Sequence, residues 1–309
     1  MIFRFGADHT TLKTPYENRF NRAGCPYLGT GGMKAEKGGK TMRKKGLAIL
    51  LAAAMILAAW PAVGEASLPG YNPEAGYTYV FFGSYPQWIE GGDPEEKAWT
   101  WSFDSYNLQA NPPEVEPSPI LWRVLTSDDG DVFLLSEYVL FAMAMHPSMK
   151  EYEKMKGYFP ETQLGKYLNQ EFLTEAFAPE EQRLLLQNED GTWITLLTVD
   201  QLNNKAYGLG RKATRKAWST EYAIRVTGAF VYRIAVGMHT CYWLKDQAKN
   251  QKNHTRCTKQ EGDIGHIACI TLNEGVRPVI HLDPNRIEIA GGSGTKGDPY
   301  LLSPPAGNL

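Results

Sequence analysis

Six residues able to bind metal or carry redox chemistry crowd into one short stretch of this 309-residue chain: His239, Cys241, His254, Cys257, His266 and Cys269. Cys and His supply zinc sites, and closely spaced pairs are their usual form. Here the pairs run His-x-Cys and, twice, His-x-x-Cys, which match no standard zinc spacing, so neither a metal set nor a cofactor is expected. Outside a cell a disulfide is the more economical use of cysteine. The three cysteines after residue 66 allow one bridge and leave one thiol over. Cys241 with Cys269 is the favoured pair, because both fall in runs that read as neighbouring strands; spacing alone does not fix it, and unpaired thiols stay open. A cysteine- or metal-dependent enzyme centred on residues 239–269 is the competing functional class.

Other catalytic constellations are thin. The chain has no glycine-rich phosphate loop, no Gly-x-Ser-x-Gly elbow and no His-Glu-x-x-His. Asp128, Asp129 and Asp131 read as turn residues, since no suitably spaced Glu completes a calcium loop. His281 stands beside Asp283 without an evident nucleophile and reads as a strand residue.

Binding chemistry has two better sources. Residues 88–118 set Trp88, Trp99, Trp101, Phe103 and Tyr106 among prolines and acids. Flat aromatic faces on a loop suit stacking on sugar rings, although such rings more commonly fold back over a core edge. Residues 245–263 are polar and basic, with Lys245, Lys249, Lys252, Arg256 and Lys259, and Arg211, Lys212, Arg215 and Lys216 form a second basic cluster. Together the two would attract an anionic polymer such as a wall polysaccharide, against the simpler account of a solvated loop face. The expected ligand contacts are Trp99, Trp101, Lys245, Lys249, Lys252 and Arg256.

Compartment follows from the N-terminal third. Met42-Arg43-Lys44-Lys45 precedes the apolar run Gly46 to Trp60, and Pro61 and the small residues Gly64 and Ala66 follow. That is the layout of a signal peptide over residues 42–66, its apolar run shorter than the ~20 residues that comfortably span a bilayer, with an uncleaved anchor as the alternative. Residues 1–41 read as a leader from a start codon assigned too early. The first 66 residues hold ten of the 32 Lys and Arg and four of the 34 Asp and Glu, which leaves the remainder net −8. Such a balance argues against a general nucleic-acid or anionic-membrane binder. The expected partners are carbohydrate, an anionic cell-wall polymer or another surface protein, with the membrane met only through the signal or anchor segment.

The elements that would carry these residues mix both periods. Tyr77 to Phe82 is β-rich, and the runs Ile120–Thr126 and Asp131–Ser136 flank Asp128-Asp129-Gly130, a hairpin signal. Leu164, Tyr167, Leu168 and Phe172 share one helical face; Pro179 opens a second helix; Thr198 and Gln201 sit at capping-box spacing. Thr220 or Ser219 caps a short helix, and Thr240–Leu244, Ile264–Leu272 and Val276–Leu282 return to strands. The class is α+β, a twisted antiparallel or mixed sheet with flanking helices. One domain is expected over 71–283, with insertions at 88–118 and 245–263. A Gly/Pro-rich tail over 284–309 reads as a flexible connector ending in a short strand. Arg123 and Arg277 lie inside apolar strands and read as structural pins, as do Trp122 and Trp243.

One ordered string of motifs runs through these elements. It comprises Phe82-Gly83-Ser84-Tyr85-Pro86-Gln87, Pro119 to Leu125, Leu134-Leu135-Ser136-Glu137-Tyr138, Leu168-Asn169-Gln170-Glu171-Phe172, Ala176 to Gln182, Thr220-Glu221-Tyr222-Ala223, Tyr242-Trp243-Leu244-Lys245 and Gly275-Val276-Arg277-Pro278. In that order it resembles a bacterial family of extracellular domains of unknown function, number 6273. The late Trp-Leu-Lys and Gly-Val-Arg-Pro runs are also similar to the endings of formylglycine-generating enzymes and other C-type-lectin-like domains. That likeness implies a small sheet with long ligand-bearing loops. The reactive cysteine pair of that oxidase has no counterpart here. The chain therefore reads as an exported binding or interaction module at the cell surface.

Overall fold

The computed structural model describes residues 68–128, 130–231 and 239–305. The leader and signal segment expected over 1–66 lie outside the described residues. In chain order the strands are β1 (Thr78–Pro86), β2 (Pro117–Asp128), β3 (Asp131–Ser136), β4 (Phe141–Ala142), β5 (Ile194–Thr195), β6 (Tyr242–Gln247), β7 (His254–Thr258), β8 (Ile264–Ala268), β9 (Gly275–Val276), β10 (Val279–Leu282), β11 (Glu288–Gly291) and β12 (Tyr300–Ser303). The helices are α1 (Pro94–Ala110), α2 (Met149–Lys154), α3 (Gln163–Asn169), α4 (Glu171–Ala176), α5 (Pro179–Gln182), α6 (Val199–Asn203), α7 (Lys212–Arg215) and α8 (Glu221–Arg225).

The class is α+β, built on two mixed sheets where one was expected. One runs β11-β12-β1-β2-β3-β10-β5 and the other β4-β9-β6-β7-β8. Most neighbours are antiparallel; β1 with β12 and β6 with β9 are parallel. β2 and β3 form the hairpin, closing at Asp128 opposite Asp131.

The chain passes between the sheets at two corners that lie together. Ser136-Glu137-Tyr138 leads from β3 to β4, and Arg277-Pro278 leads from β9 to β10. Proline suits the second corner because it has no N–H to leave unpaired where the ladder is interrupted. The corners are tied by Ser136 N–H donating to Pro278 O at 3.0 Å and Arg277 Nε donating to Ser136 O at 2.7 Å. One apolar core joins Val80, Trp122 and Ile280 of the first sheet, Trp243 and Cys257 of the second, and Leu164, Leu168 and Phe172 of α3 and α4.

Three expectations need correction. Residues 94–110 form the helix α1 in place of an aromatic loop. Asp93 Oδ1 accepts from Glu95 N–H at 2.9 Å, Pro94 takes the first position, and Glu95 and Glu96 complement the helix dipole. The polar segment 245–263 is no loop excursion, since its middle is β7, hydrogen-bonded between β6 and β8. The tail does end in a short strand, β12, but it packs against the fold as more than a connector: β12 lies beside β1, and Tyr79 N–H donates to Gly294 O at 2.8 Å.

Candidate functional site

Most of the motif residues spend their polar groups on backbone. Trp122 is fully buried and its Nε1 donates to Phe82 O at 2.8 Å; Trp243, also fully buried, donates to Met143 O at 2.8 Å. Gly83 has φ +65°, and a Cβ there would lie 2.6 Å from Ala176 O, so the turn admits only glycine. Glu181 accepts from Gly83 N–H at 3.3 Å and from Ala178 N–H at 2.9 Å, which ties the start of α5 to β1. Asn169 accepts from Trp193 and Ile194 N–H at 2.7 and 3.0 Å, stapling β5 to α3. Buried Glu221 accepts from the N–H groups of Ile89, Glu90 and Gly91 at 2.8–3.0 Å and pairs with Arg225 at 2.5 Å.

The two arginines differ in their partners. Arg123 Nε pairs with Glu137, and Lys296 reaches the other carboxylate oxygen at 2.9 Å. Burial raises the Glu137 carboxyl, but Arg123, Arg277 and Lys296 outweigh it and hold it down at about 2. Arg277 is 1 % exposed, sits over the Tyr242 ring, and leaves Nη2 without a hydrogen-bond partner. Burial, then Arg123, lowers its pKa. None of Trp122, Trp243 and Arg277 faces an open cleft.

The three cysteines among the described residues are all free, so the expected Cys241–Cys269 bridge is corrected. β7 separates β6 from β8, and Tyr242 pairs at the Thr258 end of β7 while Ala268 pairs at its His254 end. Two strand spacings across and about six residues along put the pair roughly 9.5 Å by 20 Å apart, far beyond disulfide reach. Burial, with Glu274 next, pushes the Cys241 thiol up to about 12; the same causes raise Cys257, and burial pushes Cys269 up to about 11. Thiols so protonated are poor nucleophiles. Beside them Glu274 is 5 % exposed with Oε1 unpartnered, and burial pushes its carboxyl up to about 7. Nothing in the sequence singled out Glu274. No group of three or more His, Cys, Asp or Glu among the described residues could hold a metal ion.

The aromatic candidates part ways. Trp101 is buried with Ala98, Ile224 and Val231, so its ring offers no face to a ligand, whereas Trp99 is half-buried on α1. Among the basic candidates, Lys245 is held by Asp190 at 2.7 Å and lies over the Phe159 ring. Lys249 and Lys252 are exposed on the turn joining β6 to β7, and Arg256 is half-buried on β7. The two basic clusters do meet in space. Lys212 pairs with Asp263 at 2.6 Å, and Gly262, at φ +85°, packs so closely that a Cβ would lie 2.0 Å from Lys212 O.

Lys249 and Arg256 share a polar cleft of about 440 Å³ with His266, Gln247, Asp246 and Asp200. The alternation of β7 explains the arrangement: Thr255 and Cys257 turn into the core, and His254 and Arg256 turn outward. His266 of β8 lies directly opposite Arg256, and its Nδ1 is 3.0 Å from His254 Nδ1. Burial, then His266, lowers the His254 pKa. Asp246 Oδ2 accepts from Val199 N–H at 2.6 Å, anchoring the start of α6 at the rim. Asp200 and Asp246 escaped the sequence reading, because a capping-box helix and a strand end give no sign of facing each other. The cleft thus offers cations for an anionic group and carboxylates that accept from hydroxyls.

The family model described as Domain of unknown function (DUF6273) matches residues 129–284. No curated protein and no solved structure matches the chain.

Proposed function

The chain belongs to the DUF6273 family, and from that premise we propose that it is an exported cell-surface binding module for an anionic carbohydrate or wall polymer. The observation that carries the reading is the cleft, where Lys249 and Arg256 face Asp200 and Asp246 across about 440 Å³. A sugar or polyol chain bearing acidic groups presents both partners that such a lining asks for. Its hydroxyls donate to the carboxylates, and its anions meet the cations with charge-assisted bonds. The lectin-like ending of the sequence agrees with this reading. A catalytic alternative centred on residues 239–269 would have to draw on the thiols, and their raised pKa values weigh against it.

The test is binding of the full chain to an array of neutral and acidic polysaccharides and polyol-phosphate polymers. Acidic polymers are expected to bind, and replacing Lys249 and Arg256 together by Ala is expected to weaken binding by about tenfold or more, near 1–3 kcal/mol for lost charged contacts. A blank array, or undiminished binding by the double variant, overturns the reading.

A further inference from the structure

We propose that the oxyanion of the ligand docks where Arg256 and His266 line the cleft, beside the His254 ring that touches His266, and that docking takes a proton into the imidazole pair. The inference rests on the reading of the cleft as a polyanion site. It adds the subsite and its coupling to pH.

The geometry carries it. Two imidazole Nδ1 atoms 3.0 Å apart make a hydrogen bond only if one donates and the other accepts. In that contact at least one ring lacks its Nδ1 proton, so the empty pair holds at most one imidazolium. A second proton would set two N–H groups against each other, and the contact would open. An oxyanion placed between the rings reverses the preference, because its oxygens accept from both N–H groups at once. Arg256, directly across from His266, adds a guanidinium fork to the same anion. The charged groups around the pair oppose one another. Arg256 on β7 and Lys249 on the turn disfavour further positive charge, while Asp246 on β6 and Asp200 on α6 favour it. Lys252 adds positive charge on the same turn. An arriving anion shifts this balance toward the doubly protonated pair, so affinity climbs as pH falls through the ordinary histidine range.

Three probes keep a constant charge across that range: sulfate, a poly(glycerol phosphate) and a polyuronate. Titration of the full chain with each at pH 7.5 and 5.5 is expected to show about tenfold tighter binding at the lower pH, since a linked protonation raises affinity as pH falls from the bound-state pKa towards the free-state pKa. Calorimetry in buffers of different ionisation heat is expected to report net proton uptake. The variants His254→Gln and His266→Gln are expected to weaken binding at pH 5.5 and to abolish both the pH dependence and the proton uptake; an unchanged pH profile in both variants overturns the inference. Preference for the phosphate polymer or the polyuronate identifies which oxyanion the subsite reads. Binding with a flat pH profile and no proton uptake overturns this inference and leaves the cleft reading standing. No binding to any probe at either pH removes both.

Discussion

Glu274 shows how one side chain can carry the pH response of a fold. Its carboxyl is buried beside Cys257, with one oxygen unpartnered, and burial moves its pKa from 4.5 to about 7. The folded state therefore binds a proton that the unfolded chain has released, between those two values. That stabilisation is complete below pH 4.5 and is lost as pH rises through 7. Wild-type protein is expected to lose on the order of 2 kcal/mol of stability between pH 5 and 8 through this group, and Glu274→Gln to lose none of it. Denaturant melts of both proteins at the two pH values check this, with other titrating groups cancelling in the comparison. An equal pH dependence in the two proteins refutes it. Single residues of this kind were the least legible part of the sequence. Arg123 and Arg277 announced a need for partners by standing in apolar runs, but a lone Glu in Asn273-Glu274-Gly275 gave no such sign.

Elements with local chemistry were readable, and those fixed by distant contacts were not. The Asp128–Gly130 turn, the Thr198 and Gln201 capping box and the Thr220 cap all appear where their side chains dictate. The expected helix over Thr162–Phe172 instead divides at Gln170, whose φ −122° and ψ −78° interrupt the spiral between α3 and α4. α1 escaped notice because its tryptophans drew attention from the Asp93-Pro94-Glu95-Glu96 start that predicts it. Ala98 and Trp101 hold α1 against Ile224 of α8. Trp101→Ala is expected to destabilise by about 3 kcal/mol, the low end for a buried tryptophan, and to free the helix. Thermal melts and hydrogen exchange over 94–110 measure it, and wild-type stability and protection would count against this packing role.

Across the whole molecule the two sheets share more than a connection. Both crossings lie side by side, Arg277 spans them, and Trp122 and Trp243 enter one core from opposite sheets. Unfolding is therefore expected as one cooperative transition, with backbone circular dichroism and tryptophan fluorescence superimposing in denaturant. Two separated transitions would show that the sheets are independent. The sequence motifs that revealed kinship are largely staples within the fold, some of them at this joint, which is why they told so much about architecture and so little about chemistry. The proposed recognition residues lie on β7 and the turn before it, where register, not motif, brings them face to face.

The parallel pairing of β1 with β12 has one more consequence. A ribosome delivers Thr78–Pro86 early and Tyr300–Ser303 late, so during synthesis one side of the first strand waits with bare amides and carbonyls. Nascent or prematurely released polypeptides would display that sticky border to each other, a known route to aggregation. The pairing of that edge thus waits on the arrival of β12.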